Sequence, residues 1–260
     1  MRLGIVTYNI ARDWDLETTL RVLAQCGLDG LELRTTHRHG VEPDAGKPAR
    51  ARIRERLREA GLGQVSLGST CEFHASDTAE VRRNIEQCRA FVSLARDIGA
   101  RAVKVRPNDL TPGEEAERVI ERIGKALAEC GRIGEEDGVE IWMEVHGRGT
   151  ELPANARRIL DACGHPNVGI TWNSNAADVV DGSVRQSFRF LGSSVRCCHV
   201  GELWSGYPWR ELFSLLAEAS FEGYTLAELP LPFTPEAGVA FLRCYRALWE
   251  ELRRQGGQGR

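Results

Sequence analysis

Apolar residues alternate with polar ones in eight short runs along this chain, and between those runs they recur every three to four residues. These are the signatures of strands and of amphipathic helices. The strand runs cover residues 3–8, 28–34, 65–70, 102–106, 140–147, 168–173, 195–200 and 224–229. Leu16, Leu20, Leu23 and Ala24 form one helical stripe. Val81, Ile85, Cys88, Val92 and Ala95 form a second, and Val119, Ile123, Leu127, Cys130 and Ile133 a third. Further helices are expected over 47–60, 153–163, 176–191, 208–220 and 235–253. Asp15 and Asp77 stand where N-caps belong, and Gly27 and Gly99 where helices should stop.

Eight strand–helix alternations with no linker or break in composition predict an α/β fold, a single (β/α)8 TIM barrel over residues 1–254. The Gly-rich residues 255–260 read as a flexible tail. An open doubly wound sheet is the alternative, but no GxGxxG follows the first strand. Helix-to-strand connections are short and Gly-containing, whereas strand-to-helix loops are longer and carry the unusual residues. In a barrel those longer loops surround the catalytic mouth.

Charge and composition narrow the function classes. With 260 residues, 42% of them apolar, the chain can bury a large core, and its net charge of −3 is spread rather than massed. No basic patch points to nucleic acid or an anionic membrane, and no apolar run reaches a membrane span. The chain enters its first strand directly after Met1, so a cytoplasmic protein without a signal peptide is expected. The eight cysteines form no CxxC pair and read as reduced core thiols.

Strand parity sorts the polar residues onto one face. Glu32 with Arg34, Lys104 with Arg106, Glu144 with His146, Asn173, His199 and Glu228 all oppose apolar outward positions and should project into the barrel mouth. In any one strand a structural lumen network would explain them. Glu144, His199 and Glu228 together supply an O,O,N ligand set for a divalent cation such as Mn²⁺, Mg²⁺, Co²⁺ or Zn²⁺. The same two carboxylates could exchange protons with a substrate carbon, work that suits a carboxyl of raised pKa. Lys104 and Arg106 could hold a phosphate, a carboxylate or a hydroxyl, or Lys104 could neutralise Glu32. His146 could donate to a substrate, His37 lies in a loop that could fold over the mouth, and Trp172 could stack on a sugar, though core packing is the commoner use of a strand tryptophan.

Five segments carry a resemblance over nearly the whole chain. They are Gly30-Leu31-Glu32-Leu33-Arg34, Ile141-Trp142-Met143-Glu144-Val145-His146, Gly169-Ile170-Thr171-Trp172-Asn173, Cys198-His199-Val200-Gly201-Glu202 and Gly223-Tyr224-Thr225-Leu226-Ala227-Glu228. In that order they resemble the xylose-isomerase-like barrel family, which includes sugar and sugar-phosphate isomerases and epimerases and the endonuclease IV type enzymes. The resemblance implies that Glu144 and Glu228 are both metal ligands and the acid/base pair, that His199 is a ligand and that Glu202 binds substrate. It also implies an Asp as fourth ligand at the end of the sixth strand. Asn173 stands there instead, which removes one negative charge and puts the metal in question; Asp178, in the following loop, could compensate or serve as a helix cap.

The resemblance implies a ketose or related keto-sugar or cyclitol epimerase or isomerase, often a homo-oligomer. With no Gly-rich phosphate cradle, a free sugar or polyol is the expected substrate. Gln at position 144 or 228 should abolish turnover and leave the fold intact. The competing readings are a metal-dependent lyase or dehydratase on the same barrel, and a non-catalytic sugar-binding barrel whose metal site Asn173 has degraded. Six histidines and an acidic balance do not suit a multi-metal DNA-repair nuclease.

Overall fold

The computed structural model describes residues 1–257 as a closed eight-stranded parallel barrel in the order β1 to β8, with β8 pairing back onto β1. The strands are β1 (Arg2–Asn9), β2 (Gly30–Arg34), β3 (Gln64–Glu72), β4 (Ala102–Arg106), β5 (Glu140–Glu144), β6 (Val168–Asn173), β7 (Val195–Val200) and β8 (Tyr224–Leu229). The α-helices following them are α1 (Leu16–Cys26), α2 (Lys47–Glu59), α3 (Thr78–Ile98), α4 (Ala116–Glu136), α5 (Pro153–Cys163), α6 (Arg185–Leu191), α7 (Trp209–Glu218) and α8 (Pro235–Gly257). Asp15 caps α1 by accepting from Thr18 N at 2.8 Å, and Asp77 caps α3 by accepting from Ala79 N at 2.9 Å. Gly27 and Gly99 end those helices in the left-handed conformation, as their positions predict.

Several elements differ from the sequence pattern. The continuous helix expected over 176–191 is a 3-10 turn at Ala176–Asp178, a tight turn, and then the short α6. Asp181 and Gly182 both take positive φ, 51° and 79°, and Val180 and Ser183 bridge across them, so no helix can run through. β5 stops at Glu144, which leaves His146 in the loop. α8 continues past Arg254 to Gly257, and the rest of the expected tail, 258–260, lies outside the described residues.

The barrel has two apolar shells. The outer one packs the strands against the helices, and seven of the eight cysteines are buried. The inner one plugs the N-terminal end of the lumen with Val6, Ala102, Trp142, Cys197, Tyr224 and Leu226. Its room comes from bare backbone: a Cβ on Gly30 would stand 2.3 Å from the Tyr224 ring. The charged lumen residues therefore rest on a largely apolar floor, where unpaired charge is costly. Among the described residues no helix is long and apolar enough to cross a membrane.

Candidate active site

Directly above that floor, five strands deliver a compact charged cluster. His199 of β7 is its hub and is buried. Its Nε2 lies 3.3 Å from Glu32 Oε2 of β2, while its Nδ1 faces Glu228 Oε2 of β8 at 3.4 Å and Glu144 Oε1 of β5 at 3.6 Å. Lys104 of β4 donates from Nζ to Glu144 Oε2 at 2.5 Å, with both side chains almost wholly enclosed. The lumen pairing thus differs from the sequence alternative of Lys104 against Glu32: Lys104 serves Glu144, and Glu32 serves His199.

The charges hold one another in place. Burial disfavours the Glu144 carboxylate, yet Lys104 and His199 outweigh it and keep the group well below the ordinary range. Glu32, likewise penalised by burial, is held low by His199 and Lys104. Burial pulls His199 down, but Glu32 and Glu228 push its pKa well above the ordinary value. The raised pKa that suits an acid is therefore not what Glu144 has. It is an ionised carboxylate, able to ligate or to accept a proton.

Glu144, His199 and Glu228 present ligand atoms all within 4.8 Å of one another. His199 Nδ1 is fully enclosed without a hydrogen-bond partner. Such orphaned donors or acceptors are rare in interiors. Ligand atoms about 2.1 Å from one divalent ion stand about 3.0–3.5 Å apart, close to the separations around this nitrogen. Glu32 on the opposite ring nitrogen is the carboxylate–histidine arrangement that fixes the tautomer of a metal-ligating imidazole. The three residues fit a divalent cation. Asn173 ends β6 beside His199 in strand register, and its amide makes only a long 3.4 Å contact to Asn175.

Asp178 is not part of this cluster. It is buried, accepting from Tyr207 Oη and from Asn175 N, both at 2.9 Å, and so ties the β6–α6 loop to the β7–α7 loop. Burial pushes its pKa from 3.8 up to about 7. A carboxyl whose folded pKa exceeds its unfolded one stabilises least where both states are ionised. Stability should fall as pH rises from about 4 to about 7, by as much as about 4 kcal/mol from this group. Asp178→Asn keeps an acceptor and should remove that slope, so urea unfolding at pH 5 and pH 8 should show the variant gaining relative to wild type only at the higher pH.

The other candidate residues divide. Arg106 ends β4 at the mouth and is ion-paired to Glu72 of β3. His146 follows β5, half-buried, with Nδ1 enclosed and unpartnered. His37 stacks on Tyr8 with ring centroids 6.2 Å apart and reaches Thr7 Oγ1 at 3.2 Å; burial, His39 and Arg34 lower its pKa to about 4, so the ring is neutral. Glu202 is exposed at the start of the β7–α7 loop. Trp172 corrects the stacking-wall expectation: strand parity turns it outward, where it is buried against Phe188 of α6 and donates to Tyr207 Oη at 3.0 Å. Beside the mouth, the β1–α1 and β8–α8 loops frame a groove of about 540 Å³ lined by Trp14, Arg38 and Phe233, separate from the carboxylate cluster.

Sequence reasoning placed Glu32 and Arg34 on the inward face without giving either a role in binding or catalysis, and it did not select Glu72. The signal for the first two was present, since both share the inward parity of β2. Glu72 was hidden because β3 runs two residues further than its apolar pattern.

The sequence profile of the family described as xylose isomerase-like TIM barrel matches residues 20–245. No curated protein sequence matches the chain significantly. Among solved structures, an L-ribulose 3-epimerase is similar at 19% identity and a TM-score of 0.79, covering 98% of this chain and 96% of that one. The D-psicose 3-epimerase of Clostridium cellulolyticum H10 is similar at 17% identity and a TM-score of 0.76, over 99% and 96%. A protein called IOLI, with a binding zinc atom, is similar at 16% identity and a TM-score of 0.80, over 98% and 99%.

Proposed function

The chain belongs to the xylose isomerase-like TIM-barrel family, and from that premise we propose that it epimerises or isomerises a keto-sugar or related polyol-derived ketone. The reaction is proton transfer at the carbon α to a carbonyl. The carrying observation is the enclosed, partnerless Nδ1 of His199 facing the carboxylates of Glu144 and Glu228.

Glu144, His199 and Glu228 would hold a divalent cation, with Asn173 the candidate fourth donor, and that cation would supply Lewis-acid stabilisation of the charge that develops on the carbonyl oxygen. Glu228 is the freer of the two carboxylates, a quarter exposed at the mouth, and takes the α-proton on one face of the substrate. Glu144 serves the other face, where inversion requires it to deliver a proton from its carboxyl form. Lys104 pairs with the Glu144 carboxylate left behind, and Glu32 fixes the tilt and tautomer of the His199 ring. The apolar plug below closes the end of the lumen opposite the mouth. Asn173 lowers the negative charge of the site by one, so cation affinity should lie below that of an all-carboxylate site.

The test is a panel of ketoses incubated in D₂O with protein loaded with Mn²⁺, Mg²⁺, Co²⁺ or Zn²⁺. Deuterium should enter at the carbon α to the carbonyl, together with the epimeric or isomeric product. Absence of exchange with every ketose, on protein shown to hold a cation, would sink the reading. An absorbing enone formed by loss of water would move the assignment to a lyase.

A further inference from the structure

We infer that the substrate carries an anionic head, a carboxylate or a phosphate, seated between the guanidinium groups of Arg34 and Arg106 beside the Glu144–His199–Glu228 cluster. The inference rests on the proton-transfer reading above and names the substrate class for it.

Arg34 and Arg106 are the last residues of β2 and β4 and share the inward face with Glu32 and Lys104. Between them runs β3, whose inward residue opposite Arg34 is Gly68. A Cβ on Gly68 would stand 2.8 Å from Glu32 Oε1 and 3.3 Å from both Cα and Cδ of Arg34, so the Glu32 carboxylate and the arginine stem together occupy space that a side chain would otherwise fill.

The guanidinium groups there are under-paired. The guanidinium of Arg34 has one hydrogen bond, 3.3 Å to the carbonyl of Thr35, and otherwise lies 6.0 Å from the centre of the Tyr8 ring. Arg106 gives one Nη to Glu72, while its Nε is enclosed without a partner. Among the described residues Arg34 therefore has no carboxylate within ion-pair distance, and Arg106 has one. Burial and the neighbouring Arg106 depress the pKa of Arg34, against weaker opposing pulls from Glu144 and Glu32. A guanidinium does not resolve such a conflict by losing its proton. An anion bound between the two would resolve it, and the planar fork of Arg suits an oxyanion. Lys104 cannot take that role because Glu144 occupies it. His146, whose Nδ1 is enclosed without a partner, adds a further polar group after β5. The lack of a Gly-rich phosphate cradle, which favours a free sugar, places no bar on a sugar acid.

The experiment compares three unreactive ligands of one carbon skeleton, glucitol, gluconate and glucitol 6-phosphate, by calorimetric titration of the whole protein as purified. At least one anion should bind about tenfold more tightly than glucitol, with a preference that shrinks in salt. Gluconate alone would assign a sugar acid, and the phosphate alone a sugar phosphate. The preference should largely disappear in Arg34→Gln. Arg106→Gln reads the same seat from the other side should the first variant fail to fold, and the wild-type comparison needs no variant. Equal binding of all three ligands overturns the inference, as does an anion preference that survives both substitutions. Turnover confined to neutral ketoses overturns the anionic head and leaves the epimerase reading standing. Arg34-dependent anion binding without α-proton exchange on any ketone keeps the seat and sinks the proton-transfer reading.

Discussion

Glu228→Gln is expected to lower turnover by about 10³- to 10⁴-fold, the range typical of losing a positioned acid or base, while the protein keeps its fold. The substitution keeps the size of the side chain and an oxygen toward the site but removes the group that accepts the α-proton. Glu228 is a quarter exposed at the end of β8, and its ion-pair contact is with His199, so little of the fold depends on its charge. The check is kcat under saturating cation beside the melting temperature. Wild-type kcat in this variant would remove Glu228 from the chemistry. Glu144→Gln is a less clean probe than its sequence position implies. It would strand the enclosed ammonium of Lys104, so activity and stability should fall together.

Lys104→Met is expected to give the largest loss of stability of any single lumen substitution, about 3–5 kcal/mol in cation-free protein, the usual consequence of leaving one member of a buried ion pair without the other. His199 also faces Glu144 and should keep the loss toward the lower end. The double variant Lys104→Met with Glu144→Gln should recover most of it, since no uncompensated charge remains. The pH dependence has a defined sign. The folded pKa of Glu144 lies below its unfolded value, so its ionic contribution is present above about pH 4.3 and is lost as pH falls through the folded pKa. The gap between wild type and variant should therefore hold at neutral pH and narrow in acid. Added divalent cation should return part of the lost stability to the variant by neutralising Glu144 and Glu228. Urea unfolding with and without Mn²⁺ measures both effects, and a variant as stable as wild type at pH 7 would show that the pair contributes nothing.

Both predictions depend on which groups meet, and here sequence and structure divide. Local period alone makes the barrel legible: eight alternating runs and eight stripes with caps at Asp15 and Asp77 leave little choice of architecture. The same parity assigns Glu32, Arg34, Lys104, Arg106, Glu144, His199 and Glu228 to one face, because side chains on a strand can point only two ways. Applied to β6, it also turns Trp172 outward, against the expectation that it stacks on a sugar. The segment 176–191 was less legible, since its helical spacing conceals the left-handed turn at Asp181-Gly182.

What the sequence by itself determined is therefore the fold and the inward polar set, both consequences of short-range periodicity. The partners within that set were decided by tertiary structure alone. Lys104 reaches Glu144 and not Glu32, His199 turns one nitrogen to Glu32 and the other to two carboxylates, and Arg34 crosses the space left by Gly68. Those pairings follow from strand stagger around a closed barrel and from side-chain reach across it, distances between residues as far apart in sequence as Glu32 and His199 that no local pattern records.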